Sequence, residues 1–352
     1  MAEIESPYCP ECDDAFDFPD PPPVHRRTFL RVAGAAAAAV GLTGVGAALG
    51  RDVSKAEKKV RPAEELIREL FSTLDESQKK RVVLPFDHGA GKGKRATRLG
   101  MYNEPINKVR IGDVYSKAQQ DLLDRIVKAM ASGNEGFRQI SRNGKWDASG
   151  AFDRCGATLF GDPTPGGKFA FVFAGHHLTI RCDGDSEEGA AFGGPIYYGH
   201  SPQGYSRGNI FNYQTRSVMK VHAALDGKQR KQATVAKGSP GELEPSVRFR
   251  KREERPGIRF AELSKDQQTL VEQVMRDVLV PFRKADVDEV MTIIKQNGGM
   301  EQIQLAFYTE HGNNDKEPWE FWRLEGPGFV WNYRVLPHVH TFVNISSKLT
   351  GV

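Results

Sequence analysis

Two adjacent histidines stand in the stretch 171-FVFAGHHLTIRC-182, and two more, one residue apart, in 335-VLPHVHTFVNI-345. Both stretches are rich in aromatic and β-branched residues, the composition of strands. Residues two apart in a strand share a face, so His338 and His340 project side by side and their imidazoles can converge on one ion. On the same reading His176 and His177 point to opposite faces, so only one can join that cluster. His176 shares its face with Val172, Ala174, Leu178 and Ile180 and suits a buried, hydrogen-bonded role. His177 shares its face with Thr179 and Arg181, a more polar wall, and is the preferred third ligand; His176 is the substitute.

Three neutral imidazoles around one divalent transition metal (zinc, iron or copper) leave a position open for water, whose pKa then falls toward neutrality. A neighbouring carboxylate could serve as general base, and Glu310, beside His311, and Glu325 are the candidates. Both also suit solvated or structural positions, the more ordinary reading. His200, in 198-YGHSPQG-204, offers a fourth ligand or a substrate contact. A softer metal without a carboxylate would favour redox chemistry instead. Other motifs fail on spacing: 89-GAGKGKRATR-98 lacks the phosphate-loop pattern, and no G-x-S-x-G occurs.

The elements that must carry these residues recur along the chain. Leu74-Asp75-Glu76-Ser77-Gln78 returns as Leu225-Asp226-Gly227-Lys228-Gln229, and Ser116 through Gln120 returns as Ser264 through Gln268, each about 150 residues later. The stretch 169–180 meets 319–331 at a similar offset, with Gly175 over Gly326. Each half opens with helices, marked by the spacing of Leu66, Leu70 and Leu74, then Leu122, Ile126 and Met130, and in the second half Leu270, Val274 and Leu279 before Pro281. Ser116 and Ser264 read as N-caps. Each half closes with strands, at 157–161, 169–175, 177–182 and 195–199, then 303–310, 319–324, 328–335 and 339–345. Helices grouped before strands predict an α+β fold of two pseudo-repeated halves with largely antiparallel sheet. The halves run over 51–215 and 216–352. A single site divided between them, with Gly-His-His-Leu from one and His-x-His from the other, follows as an expectation.

Residues 25–50 carry Arg26-Arg27-Thr28-Phe29-Leu30 and then an Ala/Gly-rich apolar run, the pattern of a twin-arginine export signal within 1–50. The expected partner is the twin-arginine translocation machinery and the expected place the periplasm, with the membrane touched only through that segment if it is uncleaved. Cys155 and Cys182 would then meet an oxidising compartment, as a disulfide or as two core thiols. The upstream 9-CPEC-12 is half of a zinc site and would leave with the signal. The 352 residues are 39% hydrophobic and 27% charged with a formal net charge of +4, a balance that suits a soluble globular chain rather than a nucleic-acid binder. The basic runs 92-KGKR-95 and 248-RFRKREER-255 read as solvated loops.

The order L-D-x-x-Q, S-x-x-Q-x-x-L, G-H-H-L, E-G-P and a late H-x-H resembles a bacterial family catalogued as domain of unknown function 3500, over roughly Glu64 to Ile345. The likeness is most specific at Gly175-His176-His177-Leu178 and His338-Val339-His340. It departs after the H-x-H, where members commonly continue with Arg-Asp and Asn-Asp-Tyr-Gly. The family implies no reaction. The residues point to an exported, metal-dependent, most simply hydrolytic enzyme acting on a small molecule. The alternative is a periplasmic binding or scaffold protein with a pocket lined by Trp319, Trp322, Trp331 and Tyr333.

Overall fold

The computed structural model describes residues 62–348 apart from 239, 242–246 and 310–313. The export segment, the Cys-x-x-Cys pair and Glu310 lie outside the described residues. In chain order the helices are α1 (Pro62–Thr73), α2 (Glu76–Val82), α3 (Lys117–Met130), α4 (Gly133–Ile140), α5 (Asn212–Ala224), α6 (Gly227–Ala233), α7 (Lys265–Leu279) and α8 (Lys284–Gln296). The strands are β1 (Val83–Leu84), β2 (Gly156–Gly161), β3 (Phe169–Gly175), β4 (Leu178–Cys182), β5 (Ile196–His200), β6 (Thr234–Val235), β7 (Ile258–Arg259), β8 (Gln304–Tyr308), β9 (Phe321–Gly326), β10 (Phe329–Arg334) and β11 (Val339–Ile345). Helices plus one mixed sheet make the fold α+β. No described helix is long and apolar enough to cross a membrane.

The strands follow the order β1-β2-β3-β4-β5-β11-β10-β9-β8-β6, with β7 beside β8. Pairing is antiparallel except at the outer contacts, where β1 runs parallel to β2 and β6 parallel to β8. The central seam is β5 against β11, with His340 opposite Gly199. Caps written in the sequence start the helices. Asp75, Ser116, Asp226 and Ser264 each accept from the backbone N–H three residues on, where a glutamine bonds back; such caps contribute about 1 kcal/mol each. The cap glutamines also meet across helices. Gln119 donates to Gln78 and to the Thr73 carbonyl, and Gln267 donates to Gln229 and to the Ala224 carbonyl.

One sheet face is covered by helices. α1 packs on α3 and α5 on α7. Leu123, Ile126 and Val127 of α3, and Val271, Val274 and Met275 of α7, are fully buried against Phe171, Phe173, Trp322 and Trp331. Each such aliphatic side chain contributes roughly 1.5–3 kcal/mol. Trp319, Trp322, Trp331 and Tyr333 all belong to this core, at 0–1% exposure. The aromatic-lined pocket expected of them is therefore not formed; alternation along β9 and β10 turns Trp322, Trp331 and Tyr333 inward, and Trp319, just before β9, is buried with them. The opposite face carries Thr179, Arg181, Tyr197, Phe342 and the His-x-His pair. Extended segments cover it, with Met101 and Val247 packed on Tyr197, Val330 and Phe342.

Cys155 and Cys182 are separate buried thiols, the second donating to Glu64. Their disulfide alternative is set aside.

Candidate metal centre

The structure corrects the placement of the adjacent histidines. They do not continue a strand. Gly175 pairs with Leu178, so His176 and His177 are the two central residues of the tight turn joining β3 to β4. His177 takes a positive φ of 50°. That region costs a side chain of order 1 kcal/mol, although histidine is among the residues that enter it. Three contacts hold it there. The His177 N–H donates to Asn103 Oδ1 at 2.6 Å, and the His177 carbonyl accepts from the Gly199 N–H at 2.9 Å and from the Arg142 guanidinium.

Fixed in this way, His177 meets His340 of β11 and His338, the residue just before that strand. His338 Nε2 lies 3.2 Å from His177 Nε2 and 2.9 Å from His340 Nε2. All three ligand nitrogens fall within 4.8 Å of one another, in residues that are all buried. A tetrahedral ion bound at about 2.0–2.1 Å would set its ligand nitrogens about 3.3 Å apart. Strand alternation delivers His338 and His340 to one face as the spacing requires. Gly199, opposite His340, leaves room for the ring: a Cβ there would sit 3.0 Å from His340 Cδ2 and collide with the Val339 carbonyl. Tyr197 stacks on Phe342 at 5.0 Å and stands edge-on to His340 at 5.3 Å, closing that side.

The carboxylate beside the histidines is Asp147. Its Oδ2 lies 3.1 Å from Nδ1 of both His177 and His200, and its Oδ1 lies 3.5 Å from His176 Nδ1. The His176 ring also packs on His177, tilted by 37° with centroids 3.9 Å apart. Asp147 comes from the loop after α4, where Arg142, Asn143, Trp146 and Asp147 all have positive φ. Arg142 is 1% exposed. It donates to the Gly199 carbonyl at 2.8 and 3.0 Å and lies 3.9 Å from Asp147. Strain gathered in one loop that buries a cation beside a carboxylate is a reason to look for function there.

Electrostatics sets the protonation states. Burial would raise the Asp147 pKa, but hydrogen bonds from His176, His177 and His200 outweigh it and hold the carboxyl well below its usual range. Burial lowers His177 to about 4, against the pull of Asp147. Burial, with His177 and Arg334 nearby, lowers His338 to about 3, and burial with Arg334 drives His340 well down too. At neutral pH the three imidazoles are neutral and Asp147 is charged, the states in which these groups ligate metals.

Arg334, opposite His340 on β10, lies 3.2 Å from His338 Nε2 and 3.0 Å from His340 Nε2. An imidazole that accepts there carries its proton on Nδ1. Both Nε2 lone pairs then point at the Arg334 guanidinium with the two nitrogens 2.9 Å apart, and an ion held between them would take that donor's place.

Of the residues singled out in the sequence, the fold brings together His177, His338 and His340, with His176 beside them. Glu325 is elsewhere. It pairs with Val330 on β10, four residues along the strand from Arg334, and is buried in ion pairs with Arg250 and Arg323. Those pairs lower its pKa despite burial and leave it no role as base at the histidines. Asp147, Arg142, Asn103, Gly199 and Arg334 were not read from the sequence. The only signal available for the first two was the turn-rich stretch 141-SRNGKWDASG-150.

An α+β protein with three convergent imidazoles on a buried sheet face is thus the class that fold and site define. The chain matches, over residues 56–346, the family described as protein of unknown function (DUF3500), and it belongs to that family. No curated protein and no solved structure matches it.

Proposed function

We propose that the protein is an exported metal-dependent enzyme, most simply a hydrolase of a small molecule, with one divalent transition ion held by His177, His338 and His340. The observation that carries the reading is the convergence of three buried, neutral Nε2 atoms on one point. Asp147 fixes the His177 ring through Nδ1, as outer carboxylates do for metal-bound histidines. An ion held by these three histidines would supply an acidified water and polarise an acyl or phosphoryl oxygen. The chain's own groups do the rest. Asp147 holds His200 by Nδ1, leaving its Nε2 to take and return a proton. Arg334 is placed to stabilise negative charge developing next to the ion. His176 and His200 keep 17% and 20% of their side chains exposed against 2% for His177, so substrate would enter on their side.

Export through the twin-arginine route to the periplasm remains part of the proposal, supported by Arg26-Arg27 and the apolar run that follows. So does an origin of the sheet in two repeated halves. Its supports are the strand order, which reads the same outward from the β5–β11 seam, the repeated capping boxes and the repeated glutamine contacts. The site draws His177 from one half and His338 and His340 from the other.

The reading is tested by assaying the full chain against chromogenic esters, amides and phosphoesters, before and after chelation. Hydrolysis lost on chelation, restored by one metal, and reduced about 10²–10⁴-fold in His200→Ala supports it. Hydrolysis indifferent to chelator overturns it.

A further inference from the structure

The two basic runs of the sequence, 156 residues apart at Lys92 and Arg248, meet in the fold. A pocket of about 670 Å³ opens between them on the loop-covered side of the sheet. Lys94, Arg95 and Arg248 supply its charge, Tyr102 and Phe249 its rings, and Thr97 a hydroxyl. Among the described residues that line it, none is acidic. The volume falls in the range of small-molecule sites, in a cleft that is partly open to solvent.

Behind the wall lies a further cation. Arg181 on β4 is 3% exposed and donates to the carbonyl oxygens of Arg98 and Gly100, and no described carboxylate lies within ion-pair distance of it. Burial brings its pKa down to about 9, with Arg95 and Arg98 adding to the effect and Tyr102 opposing it. Burial and then the charge of Arg248 lower Arg95 as well. Arg98, also adjacent, pairs with Glu187 at 2.6 Å. The described lining therefore carries charge of one sign, and a cleft of one sign focuses attraction for anions.

We propose that this pocket binds a small organic oxyanion, its carboxylate or phosphate gripped by Lys94, Arg95 and Arg248 and its apolar part laid against Tyr102 and Phe249. Arginine forks match either group in two-point contact, and the ring faces accept a flat substituent. The pocket also communicates with the histidine turn. The Tyr102 N–H and carbonyl both bond the Thr179 hydroxyl at 2.7 Å, and the next residue, Asn103, accepts from the His177 N–H. Occupancy of the pocket thus bears on the segment that holds His177. The inference does not require a metal at the histidines.

Calorimetric titration of the full chain with phenyl phosphate, benzoate and neutral benzyl alcohol tests it, at two salt concentrations and with chelated as well as untreated protein. At least one anion should bind, more weakly at high salt, and the alcohol should not. Arg95→Gln and Arg248→Gln should each weaken binding about tenfold or more. Arg248 is exposed, so its replacement leaves the fold intact, which a melting curve checks. The two anion arms decide whether carboxylate or phosphate is preferred. Binding retained after chelation and in His338→Ala/His340→Ala supports the pocket. Binding by neither anion, unchanged affinity in Arg248→Gln, or loss on chelation, which would place the anion at the histidines, overturns it.

Discussion

Two hairpins of this sheet share a geometry and differ in chemistry. The β3–β4 turn reads Gly175-His176-His177-Leu178 and the β9–β10 turn reads Gly326-Pro327-Gly328-Phe329. In both, the second central residue has positive φ, 50° at His177 and 60° at Gly328. Proline then glycine suits such a turn without strain. The first hairpin puts a ring where the second has hydrogen, and needs Asn103, Arg142 and Gly199 to hold it. The difference indicates that the His177 side chain is kept for what it meets, His338 and His340, rather than for the turn. The strand ends diverge as well: Asp183 follows β4, whereas Arg334 ends β10 beside the imidazoles.

The sharpest break of this comparison is at the glycine. A Cβ on Gly328 would collide with the Ser346 carbonyl, which is backbone and cannot move aside. Gly328→Ala should therefore cost about 3 kcal/mol or more in denaturant unfolding. The strand ends give an effect of similar ceiling. Burial raises the Asp183 carboxyl from its ordinary 3.8 to about 6, against hydrogen bonds from the Glu187 and Asp185 N–H groups. The folded state then holds this proton more tightly than the unfolded chain. The stabilisation is fully present below about pH 4 and is lost as pH rises through about 6, a fall of up to about 3 kcal/mol. Asp183→Asn should remove that contribution to the slope, and an unchanged pH–stability curve in the variant would refute the assignment.

Next comes Asp147→Asn, which keeps the loop but loses the charge that orients His177. Metal affinity should drop about 10–100-fold in a chelator competition, with stability moving less. The smallest effect is the most telling. His177→Gly makes the first turn like the second, and unfolding should show it stable to within about 1 kcal/mol of the parent, or slightly better. A large loss there would mean that the ring is structural.

The halves of this account were unequally legible in the sequence. Period-two patterning placed the eight longer strands within two residues, and apolar spacing with serine caps marked α1, α3 and α7, because each is a local signal; α2, α4, α5, α6 and α8 were not read. His338 and His340 were readable for the same reason. The adjacent pair was misread, because aromatic and β-branched neighbours hid a turn whose positive φ falls on histidine instead of glycine or asparagine. Asp147 and Arg142 were invisible. They reach the site from a loop through contacts some 30 to 60 residues away along the chain (Asp147 to His177 and His200, Arg142 to Gly199), which no spacing rule encodes. The basic runs are the largely exposed loops their composition suggests, and the tryptophans, offered as a pocket lining, are core.

The central claim concerns the three imidazoles, and elemental analysis of the full chain, purified without chelator, tests it most directly when His177→Gly and His338→Ala/His340→Ala are run beside it. About one equivalent of a single transition metal is expected in the parent and none in either variant, with His177→Gly still folded. A parent without metal, or a folded His177→Gly that keeps its full equivalent, would contradict it.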